Sequence, residues 1–346
     1  MSLPAVIYGA GMSCPLGRYA RAAFIAVNAG IRRFVEVANV TDPSGEPARA
    51  CRLSSLEEDD SYTRALWFAQ DAIAEALQPL AETRGLAVPV FVSASPAVLV
   101  EGGRQALKMA LQGAAPAQLD LTWNSRSITS AGRAGGVLAL EAALAALETS
   151  PLVLVGGLDS HAAGDALRAL ADANRLLGSR NCDGRLPGEG AAFILLGRLG
   201  VLPRQEVLGV VRAIARSSEP RPFAQDRASQ ATGLSQVFAA LRNAWAGRVD
   251  EVVMAQSTER FWGSELSVAY LRNVELMPEP MRTRQLANVL GDCAAAAFFS
   301  GILWALDDFR VRPSRRDPPI RSALIYSSSD TGLVGGAILA AASSIP

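Results

Sequence analysis

Residues 152–160 read LVLVGGLDS, and residues 186–196 read LPGEGAAFILL. Each stretch contains at least four consecutive apolar residues, a pattern that is typical of a strand buried on both faces in the middle of a sheet. We therefore predict strands at Leu152–Gly156 and Ala191–Leu196. Short apolar runs alternate with segments of helical periodicity along the rest of the chain, and this alternation indicates an α/β fold.

The same alternation continues outward to both ends of the chain. Further strands are predicted at Ala5–Tyr8, Val88–Ser93, Val207–Ile214, Glu251–Ala255 and Ser322–Tyr326. Helices are predicted at Tyr19–Asn28, Arg64–Gln78, Ser235–Ala246 and Cys293–Leu306. The first strand is expected to end in a turn at Gly9–Gly11, Gly335–Ala342 fits a last strand or helix, and Arg310–Pro319 fits a charged surface loop. Two halves of comparable size meet near Gly200–Pro203, which supports a duplication.

The composition limits the class of protein. The chain has 346 residues, of which 50% are hydrophobic and 19% charged, and its formal net charge is zero. This allows a large core and indicates no interaction with nucleic acid or an anionic membrane. The opening MSLPAVIYGAG lacks the features of a signal peptide, and Glu141 and Glu148 interrupt the most apolar segments. We therefore expect a soluble, cytoplasmic protein without a membrane span.

The sequence argues against several common binding sites. Four well-separated cysteines form no CxxC pair, so neither a metal site nor a cofactor is predicted; they are Cys14, Cys51, Cys182 and Cys293. The glycines around Tyr8-Gly9-Ala10-Gly11 fail the dinucleotide pattern at its third glycine, where Cys14 stands. Neither a GxSxG elbow nor a phosphate-binding loop with Lys-Ser or Lys-Thr occurs.

Residues 127–144, SITSAGRAGGVLALEAAL, read as a strand end, a glycine-rich elbow and a helix. Many α/β enzymes use such an elbow to present a nucleophile at a helix N-terminus. This one contains no Cys and no neighbouring His. Its Ser130 is a candidate nucleophile that lacks a base to activate it, and the sole histidine, His161, fits a structural role at the start of a helix.

These motifs, taken in order, resemble the β-ketoacyl synthases of the thiolase-like superfamily. In that family a strand runs into Gly-Gly-x-Asp/Glu-Ser, followed by a helix and an Asp-Gly-x-x-x-Gly-Glu-Gly-Ala hairpin, as in residues 152–160 and 166–196. The opening AVIYGAGMSCPLG (5–17) is similar to the family's first strand and Ser-Pro-Leu-Gly turn. The match is looser in the second half. There the two segments that carry the family's histidines correspond to EVVMAQST (251–258) and NVLGDCAAAAFFSGILWAL (288–306).

The resemblance implies a five-layered αβαβα duplication, with one thiolase-like half at 1–200 and the other at 201–346. It also implies a degenerate Cys-His-His site. The position of the nucleophilic Cys falls on Gly132, that of the first His on Gln256 and that of the second His on Asp292. Ser130, Arg133 and Glu189 are the further candidates for the pocket. The family's Gly-Phe-Gly-Gly-Thr-Asn gate is replaced by SSSDTGLVGG (327–336).

These replacements matter for the family's chemistry. Acyl transfer needs a thiolate at the helix N-terminus, which Gly132 does not supply. Condensation needs two imidazoles that donate hydrogen bonds to the developing enolate; Gln256 can donate one such bond, and an ionised Asp292 opposes the charge. Arg133 either pairs with Asp292 or faces an interface or solvent, in which case Asp292 accepts backbone N–H groups. Cys293 fits a buried helix residue better than a displaced nucleophile.

We therefore expect a catalytically inactive partner or accessory subunit. One form is a chain-length-factor-like subunit, and the other is a thiolase-like accessory protein of a type VI secretion effector. The alternative is a 3-oxoacyl-ACP synthase-type acyltransferase with a non-standard active site. The resemblance implies a homodimer, or a heterodimer with a ketosynthase-like or effector protein, formed through Leu121–Ala134, and it allows an acyl carrier protein as a further partner.

Overall fold

The computed structural model describes residues 4–99, 103–225, 227–310 and 318–344, so most of the loop expected at Arg310–Pro319 lies outside the described residues. The elements up to residue 200 are β1 (Ala5–Ser13), α1 (Ala20–Asn28), β2 (Phe34–Thr41), β3 (Pro47–Cys51), α2 (Ser61–Ala76), β4 (Leu86–Ala94), α3 (Gly103–Ala114), β5 (Leu119–Thr122), β6 (Ile128–Thr129), α4 (Gly135–Ala146), β7 (Leu152–Ser160), α5 (Gly164–Asp172) and β8 (Glu189–Arg198). Those that follow are β9 (Gly209–Ser218), α6 (Thr232–Ala244), β10 (Glu251–Met254), α7 (Arg260–Arg272), β11 (Thr283–Gln285), α8 (Ala287–Leu290), α9 (Ala297–Arg310), β12 (Ser322–Ser328) and β13 (Leu333–Ala340).

The LVLVGGLDS strand, β7, is buried along its whole length. Its two glycines are required by close contacts on opposite sides. A Cβ on Gly156 would lie 2.2 Å from the ring of Phe193 on β8, and a Cβ on Gly157 would lie 2.3 Å from the carbonyl oxygen of Ala295. A Cβ atom at either position would push apart two packed layers, so the Gly-Gly pair sets the distance between this strand and its neighbours.

The two halves have the same strand order. In the first half the sheet runs β1-β8-β7-β4-β5, and in the second it runs β9-β13-β12-β10-β11. In both halves the first two pairings are antiparallel and the last two are parallel. A short antiparallel pairing between β1 and β9 joins the two sheets at the centre. The repeated order supports our proposal that residues 1–200 and 201–346 are duplicated halves.

The helices form three layers around the two sheets. One core packs α2 and α3 on the outer face of the first sheet, and another packs α6 and α7 on the outer face of the second. The central core contains α4 and α9 between the sheets, where a Cβ on Gly136 would lie 2.8 Å from the Cβ of Phe298. The order of layers is therefore αβαβα, as predicted.

Several local predictions are wrong. β1 does not turn at Gly9–Gly11 but continues to Ser13. The glycines are needed because α2 crosses β1 there: a Cβ on Gly9 would lie 2.0 Å from Ala76 O, and one on Gly11 would lie 2.0 Å from Ala72 O. His161 lies in a turn before α5 rather than at the start of a helix.

Other elements of the structure show no clear periodicity in the sequence and were not predicted. The hairpin β2–β3 forms a separate small sheet that packs against α5, and α3 and α7 were not anticipated. The helix expected from Cys293 begins at Ala297, after a 3₁₀ turn at Ala294–Ala296. The segment Gly335–Ala342, for which strand and helix were both open, is mostly strand β13.

Candidate functional site

The elbow expected at residues 127–144 is present. β6 ends at Thr129, and a 3₁₀ turn at Gly132–Ala134 leads into α4. Gly132 has a φ of +64°, in the left-handed region that disfavours side chains. The space next to it is occupied by Ser329, whose hydroxyl accepts the Ala134 N–H at 2.9 Å and donates to the Ala131 carbonyl. A Cβ at position 132 would lie 3.1 Å from this hydroxyl oxygen.

Asp292 is placed opposite the elbow by the LPGEG segment. The Asp292 N–H donates to Leu186 O at 2.7 Å, and the Gly188 N–H donates to Asp292 O at 3.1 Å. This short bridge needs glycine at 291, where φ is +70° and a Cβ would lie 2.4 Å from Pro187 O. The hairpin of the first half thus holds the Asp of the second half next to the elbow.

The structure brings Arg133 and Asp292 together. Arg133 Nη1 donates to Asp292 Oδ2 at 2.9 Å, and both side chains are almost fully buried. Asp292 Oδ1 also accepts the Ala294 N–H at 3.0 Å. Of the two arrangements that the sequence left open, the structure has the ion pair, and the carboxylate also accepts the backbone N–H that the other arrangement would have used.

This pair is part of a larger group of charges. We call it the arginine–carboxylate cluster; it consists of Arg133, Arg175, Arg185, Glu259, Asp292 and Asp330. Asp330 accepts from Arg133 and Arg175 and from Arg185 Nη2 at 3.2 Å. Glu259 accepts from Arg175 Nε at 2.7 Å and Nη2 at 2.8 Å. Arg185 Nε lies 3.2 Å from Asp292 Oδ2. All three arginines belong to the first half of the chain, and all three carboxylates belong to the second.

The cluster keeps its members charged. Burial by itself would raise the pKa of Asp292, but Arg133 and then Arg185 outweigh it and lower that pKa to about 2. The same arginines, with Arg175, hold the pKa of Asp330 well below its usual range against burial. Burial would lower the pKa of Arg133, but Asp330 and Asp292 raise it. Arg133, next to Gly132, and Asp292 are therefore oppositely charged and stabilise each other's ionised form.

Aromatic rings cover the arginines. The guanidinium carbon of Arg133 lies 4.5 Å from the centre of the Trp262 ring, and that of Arg175 lies 4.1 Å from the centre of the Phe223 ring. Trp262 Nε1 also donates to Glu259 Oε2 at 3.2 Å. Such stacking suits the planar guanidinium and restricts its movement.

Gln256, which the sequence comparison aligned with the family's first histidine, is buried after β10. Its amide matches the backbone of Ser328 when Oε1 faces the Ser328 N–H at 2.8 Å and Nε2 faces the Ser328 carbonyl at 3.2 Å. Arg133 Nε donates to the same carbonyl at 3.1 Å. The amide N–H that could have stabilised an enolate is therefore used within the protein.

The other candidates lie apart from the cluster. Ser130 is exposed, and no side-chain hydrogen bond to it occurs in the described part of the chain. Glu189, the remaining pocket candidate, forms a fully buried ion pair with Arg64, at 2.6 Å between Oε1 and Nη2. Burial raises the pKa of the Cys293 thiol well above its usual value, so the thiolate is disfavoured. The backbone N–H of His161 donates to the Gly188 carbonyl at 3.0 Å.

Sequence reasoning missed Arg175, Arg185, Glu259 and Asp330. Two signals were available. Arg185 lies within the DGRLPGEG motif, and Asp330 is the charged residue of the SSSDTG segment that replaces the family's gate. Nothing in the local pattern points to Arg175 or Glu259, because each pairs with residues far away in the sequence.

Two further properties concern the described residues as a whole. No group of three or more His, Cys, Asp or Glu side chains among them is arranged to hold a metal ion. None of the helices in residues 4–99, 103–225, 227–310 and 318–344 has the length and apolar character needed to cross a bilayer.

No model of a known protein family matches the chain, and no curated protein matches it. Solved structures do. The AntDE:AntF complex, a type II PKS acyl-carrier protein with its ketosynthase bound to the hexaketide, matches with a TM-score of 0.77 and 15% identity over 99% of this chain and 100% of that chain. The ishigamide ketosynthase/chain length factor matches with a TM-score of 0.74 and 18% identity over 99% and 100%.

A third similar structure is the ketosynthase from module 6 of the bacillaene synthase of Bacillus subtilis 168. Its TM-score is 0.73 and its identity 14%, over 98% of this chain and 72% of that chain. At such identities the similarity establishes the fold alone. The predicted fold class is confirmed: the chain has the thiolase-like α/β fold of ketosynthases and chain length factors.

Proposed function

We propose that this protein is a catalytically inactive, ketosynthase-like subunit that acts as the partner of another protein. The observation that carries the proposal is the Arg133–Asp292 ion pair beside Gly132. It occupies the place where, by the family resemblance, a thiolate and an imidazole would act. An acyl group would find no nucleophile there, and its entry would require a charge-balanced cluster to open.

The remaining requirements of condensation are unmet as well. An enolate needs hydrogen-bond donors aimed at its oxygen, and losing one such donor typically costs about 3 kcal/mol of transition-state stabilisation. The Gln256 donor faces Ser328, and an ionised Asp292 repels an oxyanion. The acyltransferase alternative would need Ser130 or Cys293, of which the first has no base and the second is a buried thiol with a raised pKa.

The kind of partner follows from the structures that share the fold. One of them is described as a ketosynthase/chain length factor, and another as a ketosynthase in complex with an acyl-carrier protein. These descriptions favour a chain-length-factor-like role beside an intact ketosynthase, with an acyl carrier protein as a third component. They do not bear on the secretion-effector partner, which rests on the resemblance of the opening motif and on the compact length of the chain.

The absence of acyl-enzyme chemistry is tested by incubating the protein with acetyl- and malonyl-thioesters of pantetheine, followed by intact-mass measurement and an assay of malonyl decarboxylation. We expect no mass increase and no decarboxylation above buffer. An adduct that maps to Ser130 or Cys293, or decarboxylation that disappears in Gln256→Ala, would overturn the proposal in favour of an enzyme.

The partner role is tested separately by co-expression with each intact ketosynthase of the same genome. We expect a 1:1 complex with one of them by light scattering, and a ketosynthase activity that depends on the complex. If every intact ketosynthase is purified alone and is fully active without this chain, the chain-length-factor-like role is rejected, whatever the acyl-transfer assay shows.

A further inference from the structure

The helix α1 and its flanks carry an unusual sequence. Residues 18–35, RYARAAFIAVNAGIRRFV, contain four arginines and neither Asp nor Glu, in a chain whose net charge is zero. On one side of α1, Ala23, Phe24 and Val27 are buried. On the other side Ile25 is 61% exposed, and Tyr19 and Ile31 at its two ends are each 53% exposed. The outward face of this surface helix is therefore apolar as well as basic.

This face is rigid. Gly30 has a φ of +73°, and its N–H donates to Val27 O at 3.0 Å, while the Ile31 N–H donates to Ala26 O at 2.9 Å. These two bonds form a Schellman motif, which folds the residue after the glycine back against the last turn. Ile31 is thereby brought to the side of Ala26 and joins Ile25 and Ala22 in one continuous apolar surface, the α1 face.

A cavity of about 530 Å³ lies on the side of α1 that carries Ala20, Arg21 and Phe24. Its wall also carries three carboxylates, those of Glu75, Glu206 and Asp307. None of Ala22, Ile25 and Ile31 lines this cavity, so it is separate from the α1 face.

The charges around the α1 face are unequally compensated. Arg18 is bound by Asp71 with two contacts of 2.8 Å, and Arg21 shares the cavity wall with Asp307. Within the described ranges, Arg32 and Arg33 have no carboxylate within ion-pair distance. The next acidic residue, Glu36, lies opposite Arg49 in the hairpin. The C-terminal end of the α1 face therefore keeps an excess of positive charge.

We propose that the α1 face docks an acidic amphipathic helix of another protein. The apolar stripe of such a helix would cover Ala22, Ile25 and Ile31, while its carboxylates would reach Arg32 and Arg33. The α1 face lies beside β1, four strand spacings or about 19 Å from β6, where pairing of subunits is expected. Its test therefore does not depend on the proposed function.

The probe is a fluorescein-labelled peptide of about 18 residues, roughly five helical turns, with Leu at helical spacing on one face and Glu elsewhere. Binding is followed by fluorescence anisotropy at several salt concentrations. We expect saturable binding that weakens with salt, and a loss of roughly tenfold or more in affinity for Ile25→Ser and for Arg32→Ser/Arg33→Ser. The matched controls are Leu271→Ser, at a 70% exposed leucine of α7, and Arg84→Ser, at an exposed arginine elsewhere.

Three outcomes would overturn the proposal. The first is an absence of binding, or binding that the controls weaken as much as the α1 variants do. The second is co-sedimentation with vesicles that contain phosphatidylglycerol but not with vesicles of phosphatidylcholine. If Ile25→Ser abolishes this co-sedimentation and leaves peptide binding unaffected, the α1 face binds a membrane. The third is concentration-dependent self-association that Ile25→Ser removes, which would assign it to a second copy of the chain.

Discussion

The guanidinium of Arg133 and the carboxylate of Asp292 lie 2.9 Å apart where the two halves of the chain meet, and both are nearly inaccessible to water. One belongs to the elbow before α4 and the other to the turn before α9, 159 residues later. A buried ion pair of this kind makes little net contribution compared with an apolar pair, but the loss of either partner leaves an unpaired charge in the interior. Its energetic role can therefore be measured by removing each partner in turn.

Asp292→Asn and Arg133→Ala should each destabilise the fold by about 3 kcal/mol, because each leaves the buried cluster with one uncompensated charge, even though Asp292 keeps its contact with Arg185 and Arg133 its contact with Asp330. The double variant should lose less than the sum of the two, which is the sign of direct coupling. Urea unfolding of the four proteins measures this. The control is Arg216→Ala, which removes an ion pair with Glu141 that is half exposed on both sides and should cost less than about 1 kcal/mol. Strict additivity of the first two variants would contradict direct coupling.

Gly132→Ala should destabilise the protein by about 1–2 kcal/mol, since its φ of +64° disfavours a Cβ and Ser329 leaves little room. Gly263 provides the matched control. It lies in the interior of α7 with no atom within 4 Å of an added Cβ, so Gly263→Ala should stabilise the protein by up to about 1 kcal/mol. Thermal unfolding of both variants measures the difference. Equal effects at the two positions would show that the elbow is not constrained.

The stability of the fold should decrease as the pH rises. Burial, and then the neighbouring Asp308, raise the pKa of Glu251 from 4.5 to about 8. The nearest cation, Arg284 Nε, is 3.8 Å from Glu251 and 3.7 Å from Asp308, too far for a hydrogen bond. Between these two pKa values the unfolded state releases a proton that the folded state keeps, so stability is lost by about 1 kcal/mol per pH unit and levels off above about pH 8.

Glu251→Gln should remove the part of this slope that Glu251 causes, because an amide keeps the shape of the protonated acid and does not ionise. A slope of the same sign should remain, since burial also raises the pKa of Glu265, to about 7. Urea midpoints measured across the range of the two pKa values test this, with Glu57→Gln, at an exposed position before α2, as the charge control. Asp292 acts in the opposite direction: its pKa of about 2 contributes stability that is lost only as the pH falls from its ordinary value of 3.8. A wild-type midpoint that rises from mildly acidic to alkaline pH would contradict the assignment.

Self-association should use the edge at β6. The outer side of β5 is covered by the Gln112 amide, which donates to Leu119 O at 3.0 Å and accepts the Leu121 N–H at 2.8 Å. At β6, the Ile128 carbonyl receives only a contact of 3.4 Å from Arg104. An exposed edge of this kind favours pairing with another chain, and an obligate interface built on it would bury more than about 2,000 Å².

Light scattering at micromolar concentration should therefore show a dimer, and Ser130→Arg should convert it to a monomer without loss of thermal stability. The corresponding change at the exposed Leu271 serves as the control. A wild-type protein that is monomeric without a partner would exclude the homodimer and leave the heterodimer with a ketosynthase as the assembly to test.

Much of the fold could be read from local sequence. LVLVGGLDS and AAFILL predicted buried strands because central strands need apolar side chains on both faces. The turn predicted at Gly9–Gly11 does not occur. Glycine can mark either a turn or a close contact with a crossing helix, and the sequence of the strand alone does not distinguish the two. Only the packing of α2 on β1 shows that the second case applies. The hairpin β2–β3 was not predicted, because apolar and polar residues alternate only weakly along its strands and it packs against a small core of its own.

The candidate site was predictable only in part. The Arg133–Asp292 pair could be anticipated because the family resemblance placed both residues at one centre. Glu189 was named as a pocket candidate, but its ion pair with Arg64 joins residues 125 positions apart and could not be predicted from sequence. Arg175 and Asp330 could not be connected from sequence, since their contact spans 155 positions and depends on how a loop of the second half folds over the first.

The two halves share one strand order, yet the arginine–carboxylate cluster makes them unlike where their side chains meet beside the elbow. A half paired with another copy of itself would set three arginines against three arginines, or three carboxylates against three carboxylates, and a buried contact between like charges is strongly disfavoured. The buried charges balance only when a first half packs against a second half. An exchange of halves between two copies would satisfy the same rule, so the charges dictate which half meets which but not whether both come from one chain. The two halves therefore carry complementary charges, and neither half can replace the other in this interface.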